Sequence, residues 1–100
     1  MEESFEFESE LWRWEGGGEA AWFFVTVPAD VSHDIRELPR MPRGFGSVRV
    51  RVTTGGSSWA TSVFPDSKSG CYLLPIKKAV RAAEGIEEGD VVAIELETVD

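Results

Sequence analysis

The stretch GFGSVRVRVTTGGSSWATSVFPD, residues 44–66, decides the fold. Val48, Val50 and Val52 alternate with Arg49 and Arg51. A period of two sends the valines to one side of an extended chain and the guanidinium groups to the other. Gly55-Gly56 is a two-residue turn sequence. With that pair at the apex, Val52 faces Trp59, Val50 faces Thr61, Val48 faces Val63, Arg49 faces Ser62 and Arg51 faces Ala60. The apolar sides of the two arms then coincide, as a half-buried hairpin requires.

Towards the N-terminus, Phe5 and Phe7 alternate with Glu6, Glu8 and Glu10, and Leu11 to Trp14 prolong that strand. Gly16-Gly17-Gly18 turns the chain, and the aromatic and β-branched run Trp22 to Val27 returns as a second strand. Pro28 stops it. Val31, Ile35 and Leu38 then recur at helical spacing, which predicts a short helix over 29–38, with Asp30 near the positive end of its dipole. Pro39, Pro42 and Gly44 end that helix in a loop. Towards the C-terminus, Asp66 to Gly70 is a polar loop and Cys71 to Leu74 a short strand. Pro75 opens a second predicted helix carrying Ile76, Ala79, Val80 and Ala83 on one side, closed by a left-handed Gly85. Gly89-Asp90 turns into a last strand, Val91 to Glu97.

Strand, Pro28, helix, Gly44 and valine-rich strand are echoed by strand, Pro75, helix, Gly85 and valine-rich strand. Two related halves closing one barrel account for the echo, and closure removes the sheet edges. The expected fold class is therefore mainly β: a small closed barrel of about six strands with two short helices covering its ends. One hundred residues make a single domain, 1–100, with no separate linker. With 42% hydrophobic residues, four Trp and six Phe, the core needs no metal or disulfide to hold it. One Cys and one His exclude a disulfide framework and a zinc finger. The longest apolar run, Ala20 to Val25, is far short of the roughly 20 residues of a membrane helix. The acidic opening has no leader pattern, and a lone Cys71 suits a reducing compartment, so the expected location is the cytoplasm, with no membrane partner.

Charge is unevenly spread. The net charge of −8 divides into −7 for residues 1–30, +3 for 31–60, +3 for 61–81 and −7 for 82–100. Arg49 and Arg51 either lie across strands from Glu6, Glu8, Glu95 and Glu97 or contribute to a positive patch. Lys77 and Lys78 fall at the start of the second helix, where the dipole disfavours cations by about 0.3–1 kcal/mol. Local rules are broken more often at working sites. Arg81, one turn on, extends the same face. Either these cations and the helix amides hold an anion, or Asp66 or Glu84 neutralises them.

Catalytic patterns are missing. No Gly-Lys-Ser or Gly-Lys-Thr of a phosphate-binding loop occurs, and Gly16, Gly18 and Ala21 precede a strand where a dinucleotide fingerprint needs a helix. Asp66 and Asp90 read as turn formers, and His33, one turn before Glu37, as a surface residue. Trp12, Trp14, Trp22 and Trp59 either fill the core or line a cavity. No nucleophile pairs with a base, so no catalytic residue, metal ligand or cofactor is expected.

The segments GFGSVRVRV, TSVFPD and SGCYLLPIKKAVRAAEGIEEGD resemble a bacterial family known as domain of unknown function nineteen-oh-five, and Phe5 to Glu97 follows its layout. The resemblance implies a double-split β-barrel and brings no catalytic residue. In that family's pattern a basic or polar residue occupies the place of Ala60, so a site lined by that position is altered here. Residues 74–97, LPIKKAVRAAEGIEEGDVVAIELE, are also similar to the swapped-hairpin DNA-binding modules of transition-state regulators and antitoxins. Lys78 and Arg81 match the cationic helix positions of those modules. Shared architecture accounts for that likeness.

The residues point to a non-enzymatic binding module, acting as a monomer or weak homodimer. It accepts a small anionic ligand or an acidic partner on a concave patch of Arg49, Arg51, Ser62, Lys77, Lys78 and Arg81. The cations supply charge-assisted hydrogen bonds and Ser62 a neutral donor. The alternatives are a DNA- or RNA-binding regulator using the second helix, which the acidic ends oppose, and a purely structural or interaction domain.

Overall fold

The structure, a computed structural model, describes residues 3–15, 21–38 and 46–99. Among these residues six strands form: β1 (Ser4–Trp14), β2 (Trp22–Thr26), β3 (Val48–Thr54), β4 (Ser57–Pro65), β5 (Tyr72–Pro75) and β6 (Val91–Thr98). Two helices, α1 (Ala29–Glu37) and α2 (Lys78–Glu84), interrupt them. Every pairing is antiparallel, and the sheet closes as β1-β2-β5-β4-β3-β6 with β6 returning to β1. Among the described residues no helix is long and apolar enough to cross a membrane.

The hairpin of β3 and β4 adopts the register that its valines dictate, from Val48 opposite Val63 to Val52 opposite Trp59. Gly55, with φ +55°, supplies the left-handed turn residue, and a Cβ there would run into the Glu84 carboxylate. That carboxylate accepts from the Gly56 amide at 3.3 Å and the Ser57 hydroxyl at 2.6 Å, tying α2 to the turn. Alternation carries one residue in two inward around the ring, and Leu11, Val25, Val52, Val63, Leu74 and Leu96 are fully buried. Burying such a side chain contributes about 1.5–3 kcal/mol, so the closed sheet holds itself together from inside.

Exchanging β1 with β4, β2 with β5 and β3 with β6 leaves the ring order unchanged. The echo in the sequence thus has a counterpart in the strand order, although the hydrogen bonds match Val27 with Ile76 and so place Pro28 against Lys77, two residues from the Pro28–Pro75 match of the sequence. The Val27 amide donates to Tyr72 O and the Ile76 amide to Phe23 O, both at 2.9 Å, and the exchange turns one bond into the other.

The second helix starts later than its proline suggests. Pro75 is the last residue of β5, opposite Phe24, and the Ile76 amide is still bonded to β2. The extended chain therefore runs on through Lys77, whose φ of −71° and ψ of 158° make it the residue before the helix. In the seven residues of α2 only Val80 is buried; Ile76 is buried ahead of the helix, and Ala79 and Ala83 are exposed. Gly85 closes α2 in the left-handed conformation, φ 64°. In α1, Ile35 is fully buried, and Leu38 is extended because a proline follows. The glycine turn at 16–18 and the loop containing Pro39, Pro42 and Gly44 lie outside the described residues.

Candidate functional site

β4 begins at Ser57 yet pairs with β5 only through Phe64 opposite Leu73 and Pro65 opposite Tyr72. The first part of β4 therefore parts from β5, and a cleft of ≈ 530 Å³ lies between it, the start of β2 and α2. One side is apolar: Trp22 and Phe23 from β2, Trp59 from β4, and Ile76. The polar side is Lys77, Lys78 and Arg81, with Thr61 a neutral hydroxyl. Among the described residues no carboxylate lines it, although the chain has 18 acidic residues.

Arg81 is held in place. Its Nε donates to Ile76 O at 3.1 Å, and its guanidinium carbon lies 3.9 Å from the centre of the Phe23 ring. Such a cation over an aromatic face gains about 0.5–2 kcal/mol, more as water is excluded. Lys77 and Lys78 are exposed, and among the described residues neither has a carboxylate partner. The acids that could neutralise them are engaged elsewhere: Glu84 by the Gly56–Ser57 turn, and Asp66 in its own loop. The Ser69 hydroxyl, 2.8 Å from Asp66 Oδ2, and then the amides of Lys68 and Ser69 hold the Asp66 carboxyl below its usual range. Asp90 accepts from the Glu87 amide at 2.8 Å, so it too shapes a turn. His33 is exposed and Cys71 half-buried, and the described residues contain no cluster fit to ligate a metal.

Of the six residues singled out from the sequence, the structure brings Lys77, Lys78 and Arg81 together. It leaves Arg49, Arg51 and Ser62 apart. Arg51 lies opposite Ala60 on one side and Glu97 on the other, and lines a separate shallow groove of ≈ 100 Å³ with Glu95 and Glu97. Arg49 faces Ser62 on the outer surface and lines neither hollow. The cause is topological: β3 is one strand removed from the cleft and is bonded on its far side to the glutamate-bearing β6. Ala60 does line the cleft.

Of the four tryptophans only Trp59 belongs to the core, and Trp12 and Trp14 neither fill the core nor line the cleft. Trp59 is almost buried and also forms part of the cleft wall, whereas Trp22, 51% exposed, stands at the cleft and on an outer apolar strip with Trp14, Phe24 and Phe64. Trp12 packs on Phe24 and donates its Nε1 to Thr26 Oγ1 at 3.0 Å.

The related end of the barrel is built differently. The two-fold exchange that matches Val27 with Ile76 sets Ser32 against Arg81, and their amides bond Pro28 O and Lys77 O respectively. Ser32 is 1% exposed; its hydroxyl donates to Val27 O at 2.9 Å and accepts from the Tyr72 amide at 3.0 Å. The Ser9 hydroxyl, donating to Thr26 O at 2.8 Å, bonds β1 to β2 at that end. One end is thus fastened by serine hydroxyls, and the other holds a stacked guanidinium beside an open cleft.

The profile of a domain of unknown function (DUF1905) matches residues 7–96, from within β1 to near the end of β6. The chain belongs to the DUF1905 family. None of the curated proteins matches it significantly. The DUF1905 match encloses both helices and the whole cleft. Because the description of DUF1905 assigns no activity, what the cleft does must follow from its own chemistry.

Proposed function

We propose that the chain is a binding module whose cleft beside α2 takes a small anionic ligand. The observation that carries this reading is the convergence of Lys77, Lys78 and Arg81 on one concave surface, where among the described residues no carboxylate lines the cleft and neither lysine has an acidic partner. Removing a carboxylate or phosphate from water is costly unless charge and hydrogen bonds replace the lost hydration. Charge-assisted bonds from three cations do so. A volume of ≈ 530 Å³ falls in the range of small-molecule sites, roughly 300–1,000 Å³.

Two of the three cations are exposed, so their pull is screened over about 8 Å at physiological ionic strength and weakens further with salt. A ligand at ten times its Kd raises the unfolding midpoint of a domain this size by several degrees. Thermal unfolding in low salt with phosphate, acetate and benzoate therefore tests the proposal. A rise is expected for the native sequence, together with its loss in the Lys77→Ala, Lys78→Ala double variant. The absence of any rise at tens of millimolar, or an equal rise in the double variant, contradicts it.

A further inference from the structure

We infer that the anion the cleft takes is aromatic: a flat ring bearing one carboxylate or phosphate. The inference rests on the binding function proposed above and narrows the ligand class. Three of the four large apolar side chains that line the cleft are rings, Trp22, Phe23 and Trp59; Ile76 is the fourth, and the smaller Ala21, Ala60 and Pro75 complete the apolar lining. Arg81 already lies on one of these rings, 3.9 Å above Phe23, with its Nε fixed on Ile76 O. A guanidinium held in this way has a second face, and because Arg81 lines the cleft, that face can receive a ligand ring. Little conformational freedom remains to be lost when it does. Trp22 is half-exposed, and its ring is near-parallel to Phe24, 12° between planes at 6.2 Å. The stack steadies one wall of the cleft. Lys77 and Lys78 sit on the exposed rim, where they meet the acidic group while the ring goes inward. An aliphatic acid would satisfy the lysines but would gain no stacking on the remaining open face of the Arg81 guanidinium or on the half-exposed Trp22 indole.

Calorimetric titration of the intact chain with 2-naphthoate, cyclohexanecarboxylate, acetate and neutral 2-naphthalenemethanol tests this directly. Naphthoate is expected to bind about tenfold or more tightly than cyclohexanecarboxylate, the gain a desolvated cation–π stack gives. The neutral alcohol should bind much more weakly than naphthoate. Arg81→Lys keeps the charge and removes the planar stack, so both acids should weaken, naphthoate by more, closing the gap between them. Trp22→Leu alters an exposed residue and should also narrow the gap, which keeps the test decisive if Arg81→Lys fails to fold. Equal binding of the two acids overturns the aromatic assignment and leaves anion binding standing. Failure of every acid to bind, or binding of the neutral alcohol as tight as naphthoate, overturns both.

Discussion

Replacing Ser32 with arginine, the residue at the related position of the other helix, is expected to destabilise the barrel by more than about 4 kcal/mol or to prevent folding. Ser32 is 1% exposed and occupied on both sides, by Val27 O and by the Tyr72 amide. An arginine there would break both bonds and bring a charge into a buried seam, and an unpaired buried charge is among the costliest single changes known. The reciprocal Arg81→Ser variant should behave otherwise. Arg81 is half-buried at a cleft that water already enters, so its loss costs a stack on Phe23 and one bond to Ile76 O, about 1–2 kcal/mol together, and the protein stays folded. Urea unfolding of the two variants makes the comparison. Similar costs for both would mean that the two ends of the barrel are equivalent, and the contrast between a fastened end and a receptive one would fail.

Truncating Leu74 to alanine should cost about 2–5 kcal/mol, with the full loss appearing as a lower denaturation midpoint and an unchanged slope. Leu74 is fully buried in β5, a strand of only four residues that joins β2 to β4 and so completes the ring. A cavity at that place weakens closure as well as packing. The exposed Val91, 67% accessible, is the natural control, and Val91→Ala should shift stability by no more than about 0.5 kcal/mol. Equal, small effects at both positions would contradict a closed, close-packed interior.

Strand alternation made most of the barrel legible in the sequence. Val48, Val50 and Val52 fixed the central hairpin because a slip of one residue would turn every valine into water. The first hairpin followed from the same logic, although its register, with Leu11 opposite Val25, is given by the structure alone. What alternation cannot show is where two paired strands part. In β2 Trp22 is exposed and Phe23 half-buried, and a strand pattern says nothing of the opening beside them, because that opening depends on β4 meeting β5 through only two residue pairs. The same limit separated the basic residues. Arg51 and Lys77 both look available in the sequence, yet Arg51 is carried by a strand whose other neighbour is Glu97, and Lys77 by the turn entering α2. Pro75 misled for a related reason: it has the helix-opening preference, but its pairing with Phe24 keeps the chain extended for two residues more. Cation position in the chain was informative only where local structure, and not the order of strands, decides the neighbours.

The most direct test of a receptive cleft beside α2 is an amide and indole NMR titration of the isotopically labelled chain with 2-naphthoate. Shifts concentrated at Trp22, Phe23, Lys77, Lys78 and Arg81 and at the Trp59 indole, with Ser32 and Tyr72 unmoved, are the expected result. Shifts centred on Arg49 and Arg51, shifts at the Ser32 end, or no saturable shift anywhere would contradict it.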